Sequence, residues 1–122
     1  MGKHNDSMNE QGDFQTLEMT TANQPLRVSR DATNVMLISP GSSTLVVSDI
    51  RTERRPGRKL RFMVRADQGF TARFSDTADH IKVVGGIEDI RANDSIELIC
   101  NPISGGKNPI LVWTRTATTN IT

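Results

Sequence analysis

Tyrosine is missing altogether, and cysteine, tryptophan and histidine are scarce: one Cys, one Trp and two His in 122 residues. Each shortage excludes something. A single cysteine, Cys100, rules out an internal disulfide, so the chain is expected to be made in a reducing cytosol or to need no crosslinks. A hydrolytic triad needs a nucleophile, a base and an orienting group, and only His4 and His80 could be the base. His4 lies in a polar N-terminal stretch. His80 follows Asp79 at a wet strand position, where a solvated histidine is the simpler reading. The aromatics are Phe14, Phe62, Phe70, Phe74 and Trp113. A glycosidase or carbohydrate-binding module needs exposed platforms, and only Trp113 could serve as one; core packing is its simpler role. No apolar run approaches the ~18 residues that span a bilayer, and the N-terminus has no apolar stretch of the secretory kind. No membrane partner is expected.

Other chemistry is equally thin. Asp76/Asp79 and Glu88/Asp89 are paired carboxylates in loop-like sequence, short of the roughly six oxygens that calcium requires. Ser104-Gly105-Gly106-Lys107 is half of a phosphate loop, without the upstream glycine or the following helix, and reads as a turn. Cys100 falls on the apolar phase of its strand as a small hydrophobe. No catalytic, cofactor-binding or metal-binding residue is assigned, and the expectation is a protein that is not an enzyme.

What is present is period two. Leu60, Phe62 and Val64 alternate with Lys59, Arg61, Met63 and Arg65, the pattern of a strand with one dry and one wet face. Phe70, Ala72 and Phe74 repeat it, as do Ile81 and Val83, and Ile96, Leu98 and Cys100. Val35–Ile38 and Leu45–Val47 are continuous apolar runs, read as strands covered on both faces, and Ile110–Arg115 closes the series. Pro40-Gly41, Pro56-Gly57, Gly85-Gly86 and Asn93-Asp94 supply turns. Seven or eight short strands spaced about ten residues apart predict an all-β chain, a single antiparallel β-sandwich or jelly-roll-like domain. The predicted domain runs from 25 to 116. Residues 1–24 are expected to form a flexible, extended N-terminal arm, because Met1–Gln15 has too few apolar side chains to offset its ordering entropy; 117–122 is a C-terminal tail.

Charge is the one strong asymmetry. Arg51 to Arg73 holds eight basic and two acidic residues, +6, which leaves −5 for the rest of a chain of net +1. Lys59, Arg61 and Arg65 share a strand face, and Arg51, Arg54, Arg55 and Arg58 lie in the loop before it. A basic face on a sheet can bind nucleic acid, with an affinity that falls steeply with salt, and it can equally dock on an acidic protein surface, where arginine pairs carboxylates through two hydrogen bonds. The absence of aromatics from this face argues against single-stranded nucleic acid.

The stretch from Pro56 to Arg115 resembles small β-domains of tailed-phage fibre and virion-surface proteins. The resemblance rests on Pro56-Gly57, Leu60, Phe62, Phe70-Thr71, Ile81, Val83-Val84-Gly85-Gly86, Ile90, Asn93-Asp94-Ser95, Ile96-Glu97-Leu98 and Trp113. It covers about half the chain and consists of turn and core residues in a shared cadence. It implies a virion protein, made in the host cytoplasm, located on the capsid surface and homo-oligomeric as a dimer or trimer. The chain lacks the repetitive shaft of a fibre, and its compact form looks like a capsid decoration (cement) protein bound to the major capsid protein or other virion proteins. A tail-fibre or receptor-binding tip, with loops 76–79 and 104–108 meeting the host, is the alternative; a carbohydrate-binding β-sandwich module is a further one. The expected partner-binding residues are Arg51, Arg54, Arg55, Arg58, Arg61 and Arg65 on the basic face, with Phe14, Leu17 and Met19 of the arm anchoring a neighbour. On this reading, removing residues 1–19 leaves the domain folded. Reversing Arg54, Arg55 and Arg58 to Glu costs binding without costing stability.

Overall fold

The computed structural model of the chain describes residues 10–11, 13–77, 80–83, 85–102 and 110–120, with side chains from Asp13 onward. It is all-β, with eleven strands and no helix among the described residues. Seven strands fall where period two or an apolar run predicts them: β4 (Asn34–Ile38), β5 (Thr44–Arg51), β6 (Lys59–Val64), β7 (Thr71–Ser75), β8 (Ile81–Lys82), β10 (Ser95–Pro102) and β11 (Leu111–Thr119). Four more are β1 (Glu10–Gln11), β2 (Phe14–Glu18), β3 (Asn23–Arg27) and β9 (Ile87–Ile90).

The strands form two mixed sheets, ordered β1-β2-β4-β6-β10-β11-β8 and β3-β5-β7-β9. From β2 to β7 the chain alternates between the sheets, one strand to each. Every return to a sheet then runs in the same direction as the strand before it, so β2/β4, β4/β6, β3/β5 and β5/β7 are parallel. Parallel neighbours need a long crossover, and here a strand of the opposite sheet provides it. Antiparallel pairing takes over at β6/β10, β10/β11 and β7/β9. This corrects the wholly antiparallel domain of seven or eight strands expected from sequence. Alternation records which face of a strand is dry and carries no information on the direction of its neighbour.

One apolar cluster joins the inner faces of both sheets. Leu60, Phe62 and Val64 of β6 meet Val47 and Ile50 of β5 and Ala72 and Phe74 of β7, all at most 2% exposed. The Phe62 and Phe74 rings pack across the gap, centroids 5.3 Å apart and tilted by 49°, a favoured aromatic geometry. Trp113 is fully buried in this cluster, which removes the exposed platform that the carbohydrate-binding alternative required. Cys100 is likewise buried and free, and burial pushes its thiol pKa up. Met36 and Ile38 are half-buried, so β4 is not the strand covered on both faces that its apolar run suggested.

The boundary at 25 is also corrected. Phe14–Glu18 pairs along its whole length with β4, and Met19 is fully buried. Leu17 packs against the core from a half-buried position. The inward position of β2 is taken by Gln15, 7% exposed. Its Oε1 accepts from the Ser29 amide at 2.8 Å, and its Nε2 donates to the Arg27 carbonyl at 3.3 Å. A polar side chain satisfied by backbone groups replaces the apolar residue that would mark a strand. The C-terminal tail starts later than expected as well, since β11 continues to Thr119 opposite Ser95.

Candidate docking groove

The loop before β6 ends in a turn dictated by its sequence. Pro56 presets φ, Gly57 takes φ 86°, and the Arg58 amide donates to the Arg55 carbonyl at 3.0 Å, as a Pro-Gly turn of this type requires. The turn is held against β10 by Gly57 N donating to Cys100 O, and Cys100 N to Arg58 O, both at 2.8 Å.

The arginine that follows is not on the surface. Arg58 is 8% exposed, and its guanidinium donates to four acceptors. These are Thr52 Oγ1 at 2.8 Å, Glu53 O at 2.7 Å, Ser29 O at 2.9 Å and Ala32 O at 3.0 Å. Burial, with Arg55 nearby, pushes its pKa below the ordinary arginine value. Arg58 thus ties the 29–33 loop to the 52–58 loop from within, an assignment that corrects its expected role as a docking group. Arg54 is a second structural arginine. Its Nη1 donates to Leu111 O at 2.7 Å, and its Nη2 lies 3.1 Å from Asp49 Oδ1 and 3.0 Å from His80 Nδ1. His80 Nδ1 is in turn 3.1 Å from Asp49 Oδ1, so this histidine belongs to a polar cluster at the rim rather than standing alone in solvent.

The two loops held by Arg58, together with the outer face of β6, enclose an open groove of about 580 Å³. Arg30, Arg55, Lys59 and Arg61 give it basic walls; Asp31 and Glu97 are its acidic residues. Arg55 pairs with Glu53, and Arg30 Nη2 lies 3.9 Å from the same carboxylate. Lys59 and Arg61 are exposed and have no ion pair or side-chain hydrogen bond among the described residues. Arg61 stands directly opposite Glu97 in the β6/β10 ladder. The Glu97 carboxylate instead accepts from Thr116 Oγ1 at 2.7 Å, and Arg61 is left to solvent.

Of the expected basic face, Arg55 and Arg61 lie in the groove, and Arg58 forms its wall. Arg51 lies at the end of β5 in the other sheet, 3.7 Å from Asp49. Arg65 follows β6 at its far end, in a two-pronged pair with Asp67 at 2.7 and 3.1 Å. That pair, helped by Gln68, holds the Asp67 carboxyl down to about 2. Of the expected arm residues, Met19 is core and Leu17 packs on it, so neither is free to anchor a neighbour; Phe14 is half-buried on the outer face of its sheet. Sequence reasoning missed Arg30 and Asn34. They lie far from Arg55–Arg61 in the chain, and only the Arg58 hydrogen bonds and the β4/β6 pairing bring them together. The loop 104–108 and Asp79 lie outside the described residues.

No protein-family model, no curated protein and no solved structure matches this chain.

Proposed function

We propose that this chain is a non-enzymatic docking protein whose basic groove seats on an acidic protein surface. The observation that carries this reading is the pair Lys59 and Arg61. Both are exposed and unpaired among the described residues, and Arg30 and Arg55 flank them. Most other arginines of the described chain are engaged internally, as Arg54, Arg58, Arg65 and Arg73 are. Unpaired cations in a rigid concave site give specificity and fast association with a partner of opposite charge.

The resemblance of Pro56–Arg115 to virion-surface β-domains narrows the reading to a capsid decoration (cement) protein, with the two facing sheets as the leaves of a β-sandwich. Binding only to the assembled shell would stabilise it by mass action, and many weak copies on a lattice gain from avidity.

The test is co-sedimentation with phage capsids stripped of their decoration proteins, comparing the wild type with the Lys59→Glu/Arg61→Glu variant. Loss of co-sedimentation in the variant supports the reading, and unchanged co-sedimentation removes the groove from it. A sedimentation-velocity concentration series separates the fibre-tip alternative. A tight trimer at every concentration favours a fibre tip, whereas a monomer or weak dimer favours a decoration protein.

A further inference from the structure

The register of the first sheet orders its outer face into rows. Lys59 stands opposite Ile99. Arg61 stands between Asn34 and Glu97, and Met63 between Met36 and Ser95. Lys59, Arg61 and Met63 therefore follow one another along β6 on the same outer face, at steps of about 6.6 Å. Met36 and Met63 are half-buried and adjoin the groove through Asn34 and Arg61. Arg61 followed by a methionine pair matches the enrichment of Arg and Met at protein interfaces, where thioethers adapt their shape.

We infer that this face holds an extended acidic segment of a different protein. That segment would carry two carboxylates two residues apart and an apolar side chain two residues further on. The inference rests on the docking reading above and adds to it the form of the partner. An extended chain presents alternate side chains to one side at the same step as β6. Two carboxylates in phase then meet Lys59 and Arg61, and the next in-phase side chain meets Met63 and Met36. Asn34, beside Arg61, offers an amide that can bond the peptide backbone.

Two other occupants fit less well. The partner is not a second copy, because no two acidic residues in this chain are two positions apart. A nucleic acid strand is disfavoured twice over. Phe62, Phe70, Phe74 and Trp113 are buried, and Phe14, half-buried two strands from β6 on the same outer face, does not line the groove, so no row of stacking platforms faces it. Asp31 and Glu97 also line it, which opposes a dense row of phosphates but leaves room for two discrete carboxylates.

Fluorescence anisotropy with labelled peptides tests this on the full chain. One peptide has glutamates two residues apart and a leucine two residues further on, with threonines between. A second has the same composition with the glutamates adjacent. A labelled single-stranded oligonucleotide is the third probe. The in-phase peptide is expected to bind about threefold tighter than the reordered one, which keeps one glutamate in phase and loses the other exposed ion pair, worth about 0.2–1 kcal/mol. Arg61→Glu is expected to abolish that preference, and Met63→Ser to weaken binding of the in-phase peptide by removing the contact with its leucine. Both positions are partly or fully exposed, and thermal melts of the two variants check that the fold is kept. Equal affinity for the two peptides, no binding of either, or tighter binding of the oligonucleotide overturns the inference. If the peptides bind alike while Lys59→Glu/Arg61→Glu still abolishes capsid co-sedimentation, the extended-segment inference falls and the docking reading stands.

Discussion

Replacing Arg58 by methionine keeps the stem and removes the guanidinium. The wild-type group makes four hydrogen bonds of 2.7–3.0 Å, three of them to backbone carbonyls. Hydrogen bonds to a charged group are worth about 1.5–3 kcal/mol each, and bonds that share one guanidinium do not simply add. The losses are unequal. Glu53 is exposed and Thr52 and Ser29 are half-buried, so water can reach their oxygens. Ala32 is 1% exposed, and its carbonyl would lose a partner that solvent cannot easily replace. A total of about 3–5 kcal/mol follows, among the large single-substitution losses that come from breaking a buried hydrogen-bond network. For a chain of this length each kcal/mol moves Tm by about 4 °C, so Arg58→Met is expected to lower it by about 12–20 °C in a circular-dichroism melt. Arg55→Ala, whose partner is the exposed Glu53, is expected to change stability by at most about 0.5 kcal/mol. Arg58→Lys should rescue little, since one ammonium cannot reach the acceptors of a planar fork. A drop under about 4 °C for Arg58→Met would refute the reasoning. This outcome replaces the expectation that reversing Arg54, Arg55 and Arg58 together spares stability.

Removing residues 1–19 should unfold or strongly destabilise the protein, because it takes away β2 and Met19; Met19→Ala alone should cost about 2–4 kcal/mol in urea titration. Asp67 should titrate near 2 by NMR, and Arg65→Gln should return it toward 3.8. Its folded pKa is lowered, so the stability it contributes is present above about pH 4 and is lost as pH falls toward 2. Cys100 should resist thiol reagents in the native state and react at once in denaturant. Trp113 should emit at short wavelength and escape iodide quenching until the chain unfolds.

The sequence by itself determined the strand class, most of the core and one decisive turn. β6 is the clearest case, since Leu60, Phe62 and Val64 can be buried together only on an extended chain. Pro56-Gly57 likewise announced its turn, because few other residues accept φ near 86°. Four of the strands at or beside the sheet edges, β1, β2, β3 and β9, were not legible. β3 contains Pro25, β9 carries adjacent acids, and β2 turns Gln15 inward. An edge strand buries less and pairs on one side only, so its composition drifts toward that of a loop. The positive charge between Arg51 and Arg73 was visible, but its division of labour was not. Arg58 and Arg61 are three residues apart and chemically identical, yet one is a buried tie among loop carbonyls and the other stands free in a groove. What a guanidinium does depends on which oxygens lie within about 3 Å of it. For Arg58 those oxygens come from residues 29 and 32, and only the winding of the chain between two sheets brings them there.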